Sequence, residues 1–551
     1  MSTQTLKYKL AELPSTQHRA GLASLVLLVK WLHDQHLIED YKGAIIEFTG
    51  LDEYNATLNF NLEGLKALFD LTYQPFLDPR WTEKKDKEKE YSNDEIREVE
   101  RKDKKGKTKR IQQYRYYATV PYGAFLPTWD ESSDEPNNGL WVKLWRDMLW
   151  NIIRGVPATR NPFNNRLNIP YSKDAEQVWK DLENPDKTIG QSGNYYLGAM
   201  ASNPENVPTK DRVGYQFLLH FWSFVAQAYC PAVLDKEGHR NLTGYVLAIP
   251  DVANLRNFCR VFPQVLKSRK SEKWAYLPRE AVIDLPEEGA LDLMLLLRNR
   301  IAHEIGDQQI RRTILGIELI HAEKVASSGV KIRSISYVEP IKEQINRYDQ
   351  LKATYWCPWF RKQRLLNLVQ SQPESDELDA PLKELPAWHE FDALLSRIPR
   401  KWLEDPYFSH DARELFINEG EIKVKAEIRS YAQIVYQVCQ SYVLSKLKSK
   451  FELEWDKCKG NPQKEEDYNK KKYKIANEAF LAVRSRTESQ AFIDYFVSTL
   501  YPFIRKEEFV NFAEALFKQS SEIRALTLLA LSSQFPASKK SEAKSAETEA
   551  A

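Results

Sequence analysis

A predicted helix start near the N-terminus carries three polar side chains whose types suit acid–base or anion chemistry. Gln17, His18 and Arg19 follow Ser15, which can cap the first turn by accepting an amide hydrogen bond. Because a helix N-terminus favours anions, these side chains are candidates for a polar contact site. The alternative is a capped core helix with a polar first turn, since leucine and valine recur at helical spacing through residues 22–32.

A second candidate set, Arg298, Asn299 and His303, ends a very apolar predicted helix. Histidine can move a proton and arginine can stabilise a phosphorane-like state, so the set suits RNA cleavage. Positions five apart on an ideal helix point about 140° from each other, so Arg298 and His303 need a second chain or a local break to act together. The ordinary alternative is a helix end in which Asn299 bonds His303 and Arg300 pairs with Glu304.

A loop dense in asparagine and arginine is predicted over residues 159–168. Amide and guanidinium groups can read base edges bidentately or enter a minor groove. Asparagine is equally common in turns for backbone reasons, so an ordinary loop is the alternative. The candidates for base contacts are Arg160, Asn161, Asn164, Asn165 and Arg166.

Between residues 80 and 117 the composition shifts to lysine, arginine, glutamate and aspartate. From Arg101 to Arg115, eight basic residues stand against the single acid Asp103, and tyrosines close the stretch. The pattern predicts a mobile arm that contacts phosphates beside aromatic stacking platforms, with a solvated loop as the alternative. The candidate backbone contacts are Lys104, Lys105, Lys107, Lys109, Arg110 and Arg115.

Lys470, Lys471 and Lys472 form a third basic group, within a strongly helical C-terminal region. On exposed helix segments they can follow a phosphate backbone. A solvated helix face is the alternative.

Common catalytic and metal-binding motifs are missing from the sequence. There is no glycine-rich phosphate loop, no H-E-x-x-H, no G-x-S-x-G and no EF-hand loop. The five cysteines are scattered without a C-x-x-C pair, which indicates neither a disulfide framework nor a zinc site. We therefore expect no metal, no cofactor and no enzyme activity outside the Arg298 alternative.

Length and composition favour a soluble chain of two or three domains. The 551 residues are too many for one core, and no run of about 18 uncharged apolar residues occurs. The N-terminus lacks a signal-peptide layout, so we expect a cytoplasmic protein without a membrane partner. A net charge of +2 means that any nucleic-acid binding must rest on local patches.

The periodicity predicts an α+β fold, with a large mixed N-terminal body of buried helices and short sheets followed by a C-terminal helical bundle. We place the body at residues 1–375 with a basic arm at 80–117, and the bundle at 385–535. A polar, proline-containing connection over 371–386 is the predicted boundary. Residues 536–551 contain only small and charged residues and are expected to be a disordered tail.

Individual elements follow from the same patterns. His220 is expected to be a satisfied core histidine on a buried helix. The predicted elements are a hairpin at 43–49 and 56–61, helices at 62–71, 140–150, 214–229, 291–305 and 341–359, strands at 244–250 and 331–337, and bundle helices at 422–451, 473–487, 488–500, 506–520 and 522–534.

Four blocks of sequence, in order, resemble the large subunits of type I CRISPR surveillance complexes (Cascade), in particular a subtype I-B-like branch. They are Leu13–Gly21 with its apolar run, Tyr196–Ala201, His220–Trp222 and Tyr245–Pro250. The likeness covers most of residues 5–265, and the helical bundle fits the architecture of that family. The Arg298 set instead matches the pattern of HEPN ribonucleases, which is the alternative function.

The Cascade resemblance implies a non-catalytic subunit of an RNA-guided complex. Such a subunit lies near the 5′ handle of the guide crRNA, recognises a protospacer-adjacent motif in double-stranded target DNA and supports R-loop formation. The implied partners are the crRNA, the target DNA, the other Cascade backbone and small subunits, and recruited helicase-nuclease or transposition proteins.

The resemblance also gives the candidate residues expected roles. The loop at 159–168 is expected to meet the duplex motif, the basic arm the DNA backbone, and Gln17, His18 and Arg19 the RNA handle or a neighbouring subunit. In some related systems the bundle is also made alone from an internal start. The methionines are Met1, Met148, Met200 and Met294, so a bundle-only product would need a non-methionine start codon here.

Overall fold

The computed structural model describes most of the chain. The described residues are 2–86, 89–102, 108–133, 138–153, 172–190, 197, 210–235, 240–306, 310–325, 329–354, 357–371, 388–403, 405–421 and 431–535. The candidate residues Lys104, Lys105, Lys107, Arg160, Asn161, Asn164, Asn165 and Arg166, and the predicted tail at 536–551, lie outside these ranges.

Strands and helices within the described residues confirm the α+β class. The strands are β1 (Thr3–Lys9), β2 (Ile46–Leu51), β3 (Asn55–Asn61), β4 (Pro75–Thr82), β5 (Ile96–Lys102), β6 (Thr108–Pro121), β7 (Thr188–Gly190), β8 (Lys210–Arg212), β9 (Gln227–Leu234), β10 (Arg240–Leu242), β11 (Tyr245–Val252), β12 (Lys273–Trp274), β13 (Leu277–Pro278), β14 (Val282–Ile283), β15 (Ile314–Val325) and β16 (Gly329–Val338).

The helices lie between and after these strands. They are α1 (Thr16–Asp34), α2 (Leu62–Thr72), α3 (Leu126–Trp129), α4 (Leu140–Met148), α5 (Ser172–Leu182), α6 (Val213–Leu218), α7 (Leu255–Ser268), α8 (Pro286–Glu304), α9 (Lys342–Thr354), α10 (Pro358–Gln370), α11 (Phe391–Arg397), α12 (Arg400–Leu403), α13 (Pro406–Glu421), α14 (Tyr431–Phe451), α15 (Trp455–Cys458), α16 (Pro462–Arg484), α17 (Ser489–Tyr495), α18 (Phe509–Lys518) and α19 (Ser520–Ser532).

The chain divides into two compact units. One comprises Met1–Val233 and Leu242–Pro340, and the other comprises Leu234–Asn241 and Ile341–Ala551. The division after Pro340 precedes the predicted connection at 371–386, because α9 and α10 pack with each other and belong to the second unit.

Helix α1 lies at the centre of the first unit. Its residues from Thr16 to Val29 are buried except Arg19, so the helix is covered on almost every side. It packs against β11 and α6. At the contact with α6, a Cβ on Gly21 would lie 2.2 Å from the carbonyl oxygen of Leu218, so glycine is required for this close approach.

Two antiparallel sheets frame this helix. The smaller sheet has the order β1–β3–β2, and its β2–β3 hairpin and the following helix α2 confirm the prediction for residues 43–71. In the larger sheet β9, β11, β15 and β16 lie side by side, and β14 pairs in parallel with β9. The buried strand predicted at 244–250 is β11.

One long helix predicted over residues 214–229 is wrong. The described chain forms the short helix α6, a single 3-10 turn at Trp222–Phe224 and then strand β9. The whole stretch is buried on all sides, so a continuous apolar run carries no periodicity that separates a helix from a strand.

His220 lies in the interior, as predicted. It is 3% exposed, its backbone oxygen accepts a hydrogen bond from the Tyr73 hydroxyl at 2.9 Å, and its ring lies 5.1 Å from that of Phe69. Burial lowers the pKa of His220 to about 3, which keeps the imidazole neutral.

The second unit is a helical bundle around α19. All of α19 from Ile523 to Ser532 is buried, and the helix packs against α11, α14 and α16. Its buried Arg524 pairs with Asp392 and donates a hydrogen bond to the backbone oxygen of Arg484 at 3.0 Å. A central helix with apolar residues all round is the arrangement expected of a bundle core.

A buried ion pair joins four elements of the first unit. Arg269, which follows α7, donates to Asp292 of α8 at 3.2 Å, and the two residues are 2% and 1% exposed. The guanidinium also donates to Gln227 at 2.7 Å and Tyr229 at 3.1 Å on β9, and lies 3.4 Å from the ring centroid of Trp141 on α4. Removing one member of such a pair is costly, because the other charge would stay buried alone.

We therefore expect Asp292→Ala to lower the free energy of unfolding by about 3–5 kcal/mol, measured by urea denaturation. Glu272→Ala is the matched control, since the Glu272–Arg279 pair is 79% and 67% exposed and should contribute no measurable stability. Equal stability of the Asp292→Ala variant and the wild type would contradict a structural role for the buried pair.

Candidate nucleic-acid interface

The first turn of α1 uses its polar side chains inside the fold. Gln17 is 0% exposed, donates to the backbone oxygen of Leu197 at 2.9 Å and accepts from its amide at 3.1 Å. His18 is 1% exposed and lies between Ser15 Oγ and Asp211 Oδ2, both at 2.7 Å from its ring nitrogens. The interpretation that Gln17 and His18 present polar groups at an open helix end is therefore wrong, because both side chains hold other segments of the unit.

Capping by Ser15 also differs from the expectation. Ser15 is the N-cap residue by its extended backbone, but its side chain makes no capping hydrogen bond and contacts His18 instead. The His18–Asp211 contact fixes the start of α1 against β8.

Arg19 forms the centre of a polar network between α1 and the larger sheet. It pairs with Asp251 on β11 and donates to the backbone oxygen of Leu13 at 2.9 Å, with its side chain 19% exposed. Asp251 also accepts from the Tyr337 hydroxyl at 2.9 Å. Glu318 on β15 belongs to the same network, and burial raises its pKa to about 7, opposed by a hydrogen bond with Gln17.

A second polar network holds the point where the asparagine-rich loop begins. A π-helical turn at Leu149–Ile153 ends the described chain before residue 154. Within it, Asn151 donates to the backbone oxygen of Asp147 at 2.8 Å and to the Tyr245 hydroxyl at 3.0 Å. The Tyr245 hydroxyl in turn donates to Asp147 Oδ2 at 3.0 Å. The base of the loop is thereby tied to strand β11.

Arg80 connects this network to the three-stranded sheet β4–β6–β5. Its guanidinium lies 3.0 Å from Asp147, 2.9 Å from Asp78 and 5.1 Å from the ring centroid of Trp150. Burial raises the pKa of Asp147, and the charge of Arg80 opposes that rise. The sheet and the base of the loop therefore share one hydrogen-bonded support.

The basic arm predicted over 80–117 is a sheet in its described part, so the expectation of a mobile arm is wrong there. Strand β6 pairs with β4 from Pro121 to Tyr114 and with β5 from Tyr114 to Thr108. Lys109 and Arg110 are exposed, and Arg110 lies 3.3 Å from Glu100. Arg115 is 26% exposed and pairs with Asp94 at 2.8 Å.

The three C-terminal lysines differ in exposure. Lys470 is exposed, whereas Lys471 and Lys472 are half-buried. The Lys471 ammonium lies 4.9 Å from the ring centroid of Phe451. Burial lowers the pKa of Lys472 to about 8, and Arg413 adds to that effect. Lys470 is therefore the member of the group that is open to a phosphate.

The Arg298 set lies at the exposed end of α8. Arg298 donates to Asn299 at 3.2 and 3.0 Å, and His303 is 73% exposed and lies 3.4 Å from Glu304. Asn299 therefore bonds its neighbour Arg298, and Glu304 is the neighbour that meets His303. The described residues contain no cluster of three or more histidine, cysteine or acidic side chains that could hold a metal ion.

The cysteines and helices bear on the class of protein. All five cysteines are free thiols, and burial raises the pKa of Cys259, Cys357 and Cys230 to about 12. In the part of the chain that the structure describes, every helix is too short or too polar to span a bilayer.

Comparison with protein families then defines the class. The type I-B CRISPR Cas8b N-terminal domain matches residues 45–307, and the type I-B CRISPR Cas8b C-terminal domain matches residues 314–534. The search of curated proteins finds no match. The chain is thus a large subunit of a type I CRISPR surveillance complex, and the family resemblance in the sequence is confirmed.

Within that class, the chain belongs to the Cas8b family of type I-B systems. Large subunits of this family are generally non-catalytic components of Cascade. The block Leu13–Gly21 lies before the first matched residue, whereas the other three blocks lie within the match.

Sequence reasoning missed the residues that support the candidate interface. Asp147 and Tyr245 are far apart in the chain and lie on a helix and a strand whose patterns indicate core positions. The aromatic and basic side chains of β4 and β5, notably Trp81 and Arg97, belong to a stretch predicted as an arm. Period-two alternation of aromatic and basic residues from Gln113 to Tyr117 is the pattern that could have indicated a strand.

The Glu318 pKa gives a testable pH dependence. The folded pKa of about 7 lies above the ordinary glutamate value of 4.5, so the folded state binds more protons and stability falls as pH rises between these values. Glu318→Gln mimics the protonated form and should raise the midpoint of thermal unfolding at pH 8 by at least about 2 °C, with little change at pH 4.5. Glu47→Gln, on an exposed position of β2, is the control. A lower stability of Glu318→Gln than of the wild type at pH 8 would refute this.

Proposed function

We propose that this chain is the non-catalytic large subunit of a type I-B Cascade complex that recognises the protospacer-adjacent motif and supports R-loop formation. The observation that carries the proposal is the match to both Cas8b domains, over residues 45–307 and 314–534. In this division of labour the guide RNA reads the target by base pairing, and the protein reads a short duplex motif and the DNA backbone. The partners are the crRNA, double-stranded target DNA and the other Cascade subunits in the cytoplasm. A helicase-nuclease or transposition proteins are recruited afterwards.

The loop at 159–168 is our candidate for motif recognition. Its asparagine and arginine side chains suit base edges, and the residues before it are held by Asn151, Asp147 and Tyr245. A contact loop on a hydrogen-bonded base can place its side chains reproducibly on a duplex. Arg160, Asn161, Asn164, Asn165 and Arg166 are therefore proposed as the contact residues.

The hairpin of β5 and β6 is our candidate for backbone contacts. Lys109 and Arg110 are exposed near its turn, where Lys104, Lys105 and Lys107 lie in the sequence. Such contacts are independent of base sequence and weaken as salt rises. Lys470, on α16 of the other unit, is a further candidate for a phosphate contact.

Arg19 remains a candidate contact for the RNA handle or a neighbouring subunit. It is the one member of the Gln17, His18 and Arg19 set whose side chain is not fully covered, at 19% exposure. Its pairing with Asp251 gives it first a role inside the unit.

The motif assignment predicts a change in specificity. In complexes assembled with guide RNA, Asn161→Ala with Asn164→Ala should reduce discrimination between motif and non-motif duplexes by about 5- to 150-fold, since each bidentate contact contributes about 1–3 kcal/mol. Selection from a target library with randomised flanking bases measures it. Asn241→Ala, at an exposed asparagine outside the loop, is the control. An unchanged base preference would remove this loop from motif recognition.

The backbone assignment predicts a change in salt dependence. Replacing Lys109 and Arg110 with glutamine should reduce the slope of log affinity against log salt by about 0.9 for each phosphate that the variant no longer neutralises. The control replaces Lys457 and Lys518 with glutamine, which removes the same charge from positions that are 70% and 73% exposed. If both double variants keep the wild-type slope, the hairpin does not contact the DNA backbone.

A further inference from the structure

The two faces of the β4–β6–β5 sheet carry different chemistry. Directly paired residues lie on one face, and the face alternates along each strand. Trp81 pairs with Arg115, and Arg97 pairs with Gln113. Tyr117 lies two residues beyond Arg115 and shares its side of the sheet. We call this side the Trp81 face.

The opposite side of the sheet is turned towards the rest of the unit. It carries Arg80, which reaches Asp147 of α4 at 3.0 Å, and Tyr114, whose ring lies 5.0 Å from that of Tyr91. The Trp81 face is therefore the outer one. On it Tyr117 is 47% exposed and Leu77 is 45% exposed.

Cations alternate with aromatic rings on the Trp81 face. The Arg97 guanidinium lies 4.3 Å from the ring centroid of Trp81, and that of Arg115 lies 5.8 Å from the centroid of Tyr117. Arg97 donates to the neutral amide of Gln113 at 3.0 and 2.9 Å, so this contact does not cancel its charge. Lys109, four positions before Gln113 on β6, is an exposed cation of the same side.

Carboxylates are placed elsewhere or at the margin. By the strand alternation Glu98 and Glu100 lie on the opposite side, where Glu100 pairs with Arg110. Asp94 and Glu95 come from the turn before β5 and neutralise Arg115. Arg97 and Lys109 thus give the outer face a positive character that suits a polyanion.

We propose that the Trp81 face is a stacking platform for the DNA strand displaced during R-loop formation. Trp81 and Tyr117 receive unpaired bases, and Arg97 and Lys109 contact the phosphates. Rings of this kind require single-stranded nucleic acid, because a duplex keeps its base faces covered, and stacking on them tolerates any base.

The position of the sheet selects DNA as the strand. Through Arg80 and Asp147 the sheet shares its support with Asn151, three residues before the segment that leads to the proposed motif loop. A duplex that opens next to its motif releases its first unpaired DNA bases beside that loop. This inference rests on the proposed function, since it needs a complex that opens DNA.

The test uses the whole complex, assembled with guide RNA on the full-length chain. Affinity is measured for a target with a preformed bubble, which includes the displaced strand, and for the target strand alone. Trp81→Ala with Tyr117→Ala should weaken binding of the bubble by about tenfold or more and leave the target strand alone unaffected. Trp81→Phe with Tyr117→Phe keeps two stacking rings and should retain wild-type affinity.

Matched controls separate stacking from misfolding. Tyr54→Ala removes an exposed tyrosine, 56% accessible, from the β2–β3 turn and should change neither affinity. Subunit and guide RNA content of each purified complex reports on folding. Unchanged bubble affinity in the alanine variant, an equal weakening in the phenylalanine variant, or a complex depleted of guide RNA would overturn the proposal. Failure of the wild-type complex to bind either matched target would instead refute the proposed function.

Discussion

The first unit depends on one buried guanidinium. Arg269 is 2% exposed and has Asp292, Gln227 and Tyr229 as hydrogen-bond partners, with the Trp141 ring against its face. Taking two charges out of water is costly, and the cost is offset only when all of these partners are in place. Helices α4 and α8, strand β9 and the end of α7 therefore favour one arrangement, which fixes the larger sheet relative to the helices around it.

That arrangement explains why the start of α1 identifies the family without being a site of chemistry. A helix inserted against the sheet brings its polar first turn into the interior, where every donor and acceptor needs a partner. Gln17 meets both backbone groups of Leu197, His18 meets Ser15 and Asp211, and Arg19 meets Asp251. The residue types suit anion binding and internal satisfaction equally, and burial decides between these two roles.

The sequence was informative where periodicity and turn chemistry agreed. The β2–β3 hairpin, helix α2, strand β11 and the C-terminal bundle follow from local patterns. The β4–β6–β5 sheet was missed because charged residues on both of its faces hide the alternation, and the helix predicted over 214–229 failed because full burial removes it. The Arg80–Asp147 and Tyr245–Asp147 contacts join residues far apart in the chain, so no local pattern could predict them.

Arg80 makes the sheet and the base of the asparagine-rich loop thermodynamically linked. Its contact with Asp147 at 3.0 Å couples β4 to the helix that leads into Asn151. Any ligand that changes the free energy of this contact when it binds one side changes affinity on the other side by the same factor, because coupling is reciprocal. Occupancy of the sheet and grip of the loop on a duplex are then two readings of a single equilibrium. A complex built this way can hold its motif more firmly, or release it, according to whether the DNA beside it is open.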